Sequence, residues 1–569
     1  MKKTKLCILF MSLMLAGTAF HTGCAAPSDS VSKSEENLET AASAPESKAS
    51  EANKPEGAGT ETAAPETTKT EASPISKPKR TFTPELEAFM EQINETHQAV
   101  KKVEGDYSKY AEPDPKGYVP VWQYMVSYDE GTEFQREAVY SLEQVQADVD
   151  LLMQLLQTNY GAYYYFGGDE KFLEVKEEIV KECGEAKELT GDFLLNCLLN
   201  HFSFLEDAHF SIEELSVSDY QVPCFYNETA FEKSDQGYCP LDENGNADRT
   251  KMVESVTGWE NLDELFKRSI SGDGSIVYYP VVYQLATWAK IRGQETGLQI
   301  KPEDLEIHYA DGSSEVLTAG PYEPFPVDRK GTKVFCRDIQ GVPVIGSLTV
   351  ENSEPKSDVV GKEFVAYADK YRGEPVLLVD LRSNEGGHPQ GAVKWWETYA
   401  ERAVTANFVQ LFRGNLQEHL DISRNPNGAN YISADTLLNT MGYKSVTEYY
   451  TARYTQTDMF VDNDALIILL TSKYTASAAE HFLDIAHNVK NTLIIGENSA
   501  GWLFGTSTGK RVELPKTHLH LKFGNSYSIF PEDPGYFQEF RGFEPDLWAP
   551  AGQAEELAMK FIERYMQVE

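Results

Sequence analysis

Three continuous apolar runs of strand length, at 376–379, 466–470 and 493–495, constrain the fold of this chain more than any other feature. A run with no polar alternation cannot face water on either side. Each therefore predicts a strand covered on both faces, as in a parallel sheet flanked by helices. Between the second and third runs lies 477–488, where Phe482, Leu483, Ile485 and Ala486 make the apolar face of a helix, continued by Val489. The unit reads strand, helix, strand, with Ser477 at the first turn of its helix. There the unpaired first-turn N–H groups and the helix dipole favour developing negative charge, a common setting for a nucleophile. Serine is also the default N-cap, so position alone carries only a structural meaning.

The first eighty residues have a different character. Lys2, Lys3 and Lys5, an apolar run from 6 to 20 and small residues ending in Gly23-Cys24 make the three-part layout of an export signal over 1–23. The run is shorter than the roughly 20 residues that span a bilayer. From Cys24 to Arg80 the chain is almost all Ala, Ser, Thr, Glu, Lys and Pro, which cannot bury enough surface to offset chain entropy, so a disordered tether is expected. As a flexible coil it would span about 40 Å.

The rest divides into three sections by pattern. Leu142, Val145, Val149 and Leu152 recur at helical spacing, as do Phe172, Val175 and Ile179, and 83–103 reads as a helix, so 81–209 is expected to be a helical cap. Short β-type runs at 221–225, 251–256, 275–282 and 305–309, separated by turn signals such as Asp311-Gly312, predict a β-rich section over 210–340. The strand-helix-strand pattern occupies 341–569. The formal charge of −38 falls almost wholly on these sections, because the signal and tether nearly cancel. Such a surface repels phosphate backbones, which excludes nucleic acid as a natural partner. Five cysteines follow the tether: Cys183, Cys197, Cys224, Cys239 and Cys336. They form no C-x-x-C and no Cys/His set with zinc-ligand spacing, so buried thiols are expected and no metal or cofactor.

Four segments resemble the motifs of the C-terminal-processing, or tail-specific, serine peptidases. Asp380-Leu381-Arg382-Ser383-Asn384-Glu385-Gly386-Gly387 resembles their D-L-R-x-N-x-G-G, and Thr475-Ala476-Ser477-Ala478-Ala479-Glu480 their S-A-S-A-x-E nucleophile motif. Gly496-Glu497 and Gly542-Phe543-Glu544-Pro545-Asp546 resemble the following strand-Gly-Glu and the closing G-x-x-P-D. The order is the family's. The resemblance implies Ser477 as nucleophile and an oxyanion hole from the backbone N–H groups of Gly386 or Gly387 and Ala478. Glycine at the end of a strand lets a carbonyl approach the backbone unobstructed.

The better-known members carry a lysine base shortly after Gly-Glu, a position occupied here by Trp502. A second branch, resembling tricorn-type core peptidases, uses histidine in a D-x-H motif, and Asp207-Ala208-His209 is similar to it. His209 is thus the implied base, since an imidazole takes a serine proton at neutral pH without strong burial. Glu539, three residues before Gly542, is the implied orienting carboxylate, with Glu497 and Asp207 as rivals. Lys473 and Lys510 remain alternative bases, and His388 has no assigned role.

The resemblance implies an α/β (α+β) fold of the ClpP/crotonase-like kind, a spiral of ββα units, with the cap and the β section over its active-site face. No working peptide-binding PDZ module can be picked out in 210–340. The expected protein is an exported serine endopeptidase acting on polypeptides. Thr22-Gly23-Cys24 resembles a lipobox, which implies lipid attachment at Cys24 to the outer leaflet of the cell membrane, although His21 departs from the aliphatic residue usual there. An ordinary signal cleaved near Ala25-Ala26 would give a secreted protein. The competing function on the same fold is a non-proteolytic lipoprotein that holds a peptide or apolar ligand.

Overall fold

A computed structural model describes residues 80–568, apart from 101–118, 120, 129, 288–302, 320–324, 327–332, 351–358, 413–459, 507–510 and 533–534. The export signal, Cys24, nearly all of the tether and Lys510 therefore lie outside the described residues. The chain divides into two units, one of them 25–78, and every described residue belongs to the other. Among the described residues no helix is long and apolar enough to cross a membrane.

Strand β1 (Arg80–Phe82) leads into helix α1 (Pro84–Ala99), which begins where Thr83 Oγ1 accepts the Leu86 N–H at 3.2 Å and Pro84 supplies the fixed φ of a first turn. Helices α2 (Leu142–Asn159), α3 (Gly168–Glu185) and α4 (Gly191–His201) follow; α2 opens on a Ser141/Gln144 capping box and α4 on Thr190, whose Oγ1 takes the Phe193 N–H at 3.2 Å. The β-rich section contributes β2 (Asp219–Phe225), β3 (Phe231–Ser234), β4 (Gly237–Pro240), β5 (Phe266–Ile270) and β6 (Ile276–Thr287). Then come β7 (Val334–Ile339), β8 (Val342–Ser347), α5 (Val359–Lys370), β9 (Val376–Asp380), α6 (Pro389–Ala400) and β10 (Leu466–Thr471). The chain closes with α7 (Ala478–Ala486), β11 (Thr492–Gly496), β12 (Leu547–Trp548), α8 (Ala554–Tyr565) and β13 (Met566–Val568), the last pairing with β1.

The main sheet runs β7-β8-β9-β10-β11-β12-β5-β6-β3-β4, with β2 also on β6; the strands from β8 through β12 to β5 are parallel. The three apolar runs are its centre, β9, β10 and β11. Their side chains alternate between two cores. Leu377, Val379, Ile467, Leu469 and Ile494 pack with Phe364 of α5, Trp395 and Trp396 of α6 and Phe482 of α7 on one face. Val376, Leu378, Leu466, Ile468, Leu493 and Ile495 pack with Leu86, Phe89 and Ile93 of α1 and Phe561 of α8 on the other. Continuous apolar strands are therefore required on both faces.

Two expectations change. The sequence assigns 83–99 to the helical cap, but α1 packs on the sheet with α8, because its apolar stripe Leu86, Phe89, Met90, Ile93 matches the β9–β10 face; a third core joins α2, α3 and α4 to Phe210, Phe504 and Phe523 instead. The β-rich section also does not stand apart: β5 pairs with β12 at Ser269 and Trp548, and Ser269 Oγ donates to the Trp548 carbonyl at 2.9 Å, so the section extends the main sheet.

Candidate active site

Register sets the site. Asp380 pairs with Leu470, and Thr471 with Gly496, so the loops leaving β9, β10 and β11 emerge together at the carboxyl edge of the parallel strands, where ligands of open α/β sheets bind. The first loop is held by its own polar groups. Arg382 forms a two-point pair with Asp380 (Nε to Oδ1 2.9 Å, Nη2 to Oδ2 2.7 Å) and also reaches the Ala551 carbonyl, so the D-L-R motif is a buried brace rather than a substrate contact. Asn384, fully buried, donates to the Ser347 carbonyl at 2.9 Å and accepts the Gly386 N–H at 3.0 Å.

That last bond corrects the oxyanion assignment. The Gly386 N–H is taken by Asn384, whereas the N–H groups of Gly387 and Ala478 make no hydrogen bond among the described residues. Gly386 has a steric role instead: at φ +105° its Cα packs on the Ser477 turn, and a Cβ there would lie 2.8 Å from Ser477 Cβ.

Ser477 caps α7 with φ 53° and ψ −116°, a conformation that L residues avoid. Its N–H donates to Glu480 Oε2 at 2.9 Å. The buried Glu480 also accepts the N–H groups of Gly501 (2.6 Å) and Trp502 (2.7 Å) and the Ser499 hydroxyl (2.7 Å). Burial pushes its carboxyl upward and these four donors pull it back. One carboxylate thus fixes the Ser477 turn to the loop after β11.

His209 follows the cap helices. Its backbone N–H donates to Asp207 Oδ1 at 2.9 Å, and Asp207 Oδ2 accepts the Tyr160 hydroxyl at 2.9 Å. A ring nitrogen of His209 and a carboxylate oxygen of each of Asp207 and Glu539 lie within 4.8 Å of one another, so the sequence-predicted Glu539 stands beside the sequence-predicted base. Glu539 is held by the N–H groups of Ala208 (2.9 Å) and Phe504 (2.9 Å). The carboxylate oxygens of Asp207 and Glu539 are already paired with protein donors, which suits orienting groups better than metal ligands. Nδ1 of His209 is enclosed and makes no hydrogen bond, and no hydrogen bond joins its ring to Ser477 Oγ among the described residues. In unliganded sites such bonds are commonly long and tighten on substrate.

Trp502 packs edge-on against the imidazole, ring centroids 6.3 Å apart. The residue that displaces the lysine of the better-known motif thereby becomes a wall for the histidine. Burial, with a smaller contribution from Lys522, lowers His209 to about 4, so the ring is neutral and able to accept a proton across the physiological range. Burial raises Asp207 to about 6, and burial with the charge of Asp207 drives Glu539 well above the carboxylate range. A proton arriving on His209 would relieve both.

The rival bases fare differently. Lys473 is buried and turned away into the loops, donating to the carbonyls of Ser499 (2.7 Å) and Arg541 (3.1 Å), and burial lowers it to about 7. Glu497 accepts the Ala551 N–H at 3.0 Å and is not part of the Asp207, His209 and Glu539 group. His388 caps α6, its N–H on the Val350 carbonyl. Sequence reasoning missed Glu480 and Asn384 as organisers, although both are written in the quoted motifs; a motif carboxylate three residues after an N-cap serine was the available signal.

Residues 345–547 match the model of peptidase family S41. Among solved structures the chain is similar to mature CPAF, at 15% identity and a TM-score of 0.37 over 74% of this chain and 98% of that one. It is also similar to the photosystem II D1 C-terminal processing protease, at 13% identity and a TM-score of 0.32 over 74% and 97%. For the tricorn protease the values are 14% identity and a TM-score of 0.27 over 74% and 37%. No curated protein matches.

Proposed function

We propose that this serine-type peptidase, whose residues 345–547 belong to family S41, cleaves polypeptides with Ser477 as nucleophile, His209 as base and Glu539 as the carboxylate that steadies the imidazolium. His209 takes the Ser477 proton as Oγ attacks the scissile carbonyl carbon, and the negative charge develops on the carbonyl oxygen. The N–H groups of Gly387 and Ala478 receive it; each such donor is typically worth about 3–4 kcal/mol in the transition state. His209 then gives the proton to the leaving amine, and water repeats the cycle on the acyl-enzyme.

The observation that carries this reading is the packing of Gly386 on Ser477, which joins the Gly-Gly loop and the nucleophile turn into one site while, among the described residues, two N–H groups are left undonated. The His209, Asp207 and Glu539 cluster supports the choice of base. The anchoring part of the proposal rests on the sequence alone: export, diacylation of Cys24 and display on the outer membrane face at the end of a tether.

Labelling of the purified full chain with a fluorophosphonate tests the mechanism. Labelling is expected in the wild type, absent in Ser477→Ala, and reduced by about three orders of magnitude in rate in His209→Ala. Labelling that survives His209→Ala but disappears in Lys510→Ala would replace the base, and no labelling at Ser477 would favour the ligand-holding lipoprotein. Globomycin-sensitive processing and a mass increment on Cys24 test the anchor.

A further inference from the structure

Away from the catalytic cleft, helices α3 and α4 bring together a second set of ligand-type side chains. Glu178 and Glu182 on α3, and Cys197 and His201 on α4, are each spaced i,i+4, with Cys183 beside Glu182. One ligand atom from each of Glu182, Cys197 and His201 lies within 4.8 Å of the other two. His201 Nε2 is 2.8 Å from Glu182 Oε2, and Cys183 Sγ is 4.0 Å from Cys197 Sγ. The second imidazole nitrogen, Nδ1, is 3.4 Å from Glu178 Oε2.

We propose that this cluster is a zinc site, with Cys183, Cys197, His201 Nε2 and Glu182 as ligands and Glu178 accepting the Nδ1–H. The donor set is two sulfurs, one imidazole and one carboxylate, which is zinc chemistry. A Zn–S length of about 2.3 Å puts two thiolates of a tetrahedral site about 3.8 Å apart, against the 4.0 Å separating the two Sγ atoms. Bonds of about 2.0–2.1 Å to nitrogen and oxygen put those atoms about 3.4 Å apart, so the present 2.8 Å contact opens slightly to admit the metal. The carboxylate behind the imidazole is the usual outer partner that fixes a ligating histidine's tautomer. Packing of small buried side chains would explain the two thiols, but gives no reason for Cys197 to stand within 4.8 Å of both an imidazole and a carboxylate, with Cys183 Sγ 4.0 Å from its sulfur.

Binding displaces one proton from each thiol to solvent, and the neutral imidazole binds without proton loss, so affinity rises with pH. The metal would pin α3 to α4. Since α4 ends at His201, the brace acts directly on the segment leading to His209. The spacing Cys197-x-x-x-His201 escapes a search for paired C-x-x-C motifs because it is a helical, not a knuckle, arrangement.

The test is a zinc titration of the chelator-stripped full chain against a chromophoric chelator, with cobalt substitution to count thiolates. One zinc per chain with submicromolar affinity is expected. Affinity should fall at least 100-fold in Cys197→Ser and His201→Ala and 10–100-fold in Glu178→Gln. Cys183→Ser should remove about half of the sulfur-to-cobalt absorption. His201 is partly exposed, so His201→Ala should retain the fold by circular dichroism. Absence of stoichiometric binding at micromolar zinc, unchanged affinity in both Cys197→Ser and His201→Ala, or a Cys183–Cys197 disulfide in a metal-free chain would overturn the proposal.

Discussion

Gly386 and Ser477 are packed so closely that a Cβ on the glycine would stand 2.8 Å from the Cβ of the serine and 2.9 Å from the Ala476 carbonyl oxygen. The Gly386 backbone lies in the positive-φ region as well. Gly386→Ala therefore adds both a clash and strain at the contact that aligns the two halves of the site. Its kcat should drop by about 100-fold or more, the scale of a lost oxyanion donor, with about 1–3 kcal/mol of stability lost. Peptide hydrolysis and urea unfolding of the same preparation measure both; wild-type kcat would remove the contact from the mechanism.

Ser477 itself stores strain. Its φ of 53° with ψ −116° is a region glycine enters freely. Ser477→Gly and Ser477→Ala should both be inactive, yet Ser477→Gly should be the more stable by about 1 kcal/mol, the relief of strain less the entropic disadvantage of glycine. Equal unfolding midpoints for the two would mean that the turn is relaxed.

The environment of His209 fixes the direction of the pH profile. Its lowered value, about 4, set by burial with a smaller push from Lys522, keeps the base form populated well below the ordinary histidine range. The acid limb of kcat/KM should lie nearer pH 4–5 than 6.5. Trp502→Ala opens one wall of the ring to water and should move that limb upward toward 6.5. A wild-type limb at 6.5, indifferent to Trp502, would show a solvated base.

The sheet and the strand-to-helix turn at Ser477 were legible because each is written locally. The runs at 376–379, 466–470 and 493–495 have no polar face, and Ser477 sits where a buried strand meets an apolar helix face. The placement of α1 was not legible, because its stripe fits any apolar surface and only the unpaired β9–β10 face decides which. The continuation of the sheet through Ser269 and Trp548 is a single non-local pairing with no composition signal. The loss of Gly386 as a donor depends on which N–H the Asn384 side chain reaches, a difference of one residue in a Gly-Gly pair.

Lys473 provides the sharpest separation between an anchor and a base. It holds the Ser499 and Arg541 carbonyls, and so the loops that carry Trp502 and Glu539. Burial lowers it to about 7, below its unfolded value near 10.5, so between those two values the unfolded chain binds the extra proton and stability rises with pH. Lys473→Met should abolish that rise, leaving the wild type to gain on the variant by at most about 1.4 kcal/mol per pH unit above pH 7. As a positioning residue, its loss should lower kcat by about ten-fold through slack loops while leaving the acid limb of kcat/KM unmoved and Ser477 still open to fluorophosphonate. Were Lys473 the base, Ser477 labelling would vanish with it, and His209→Ala would retain wild-type rates.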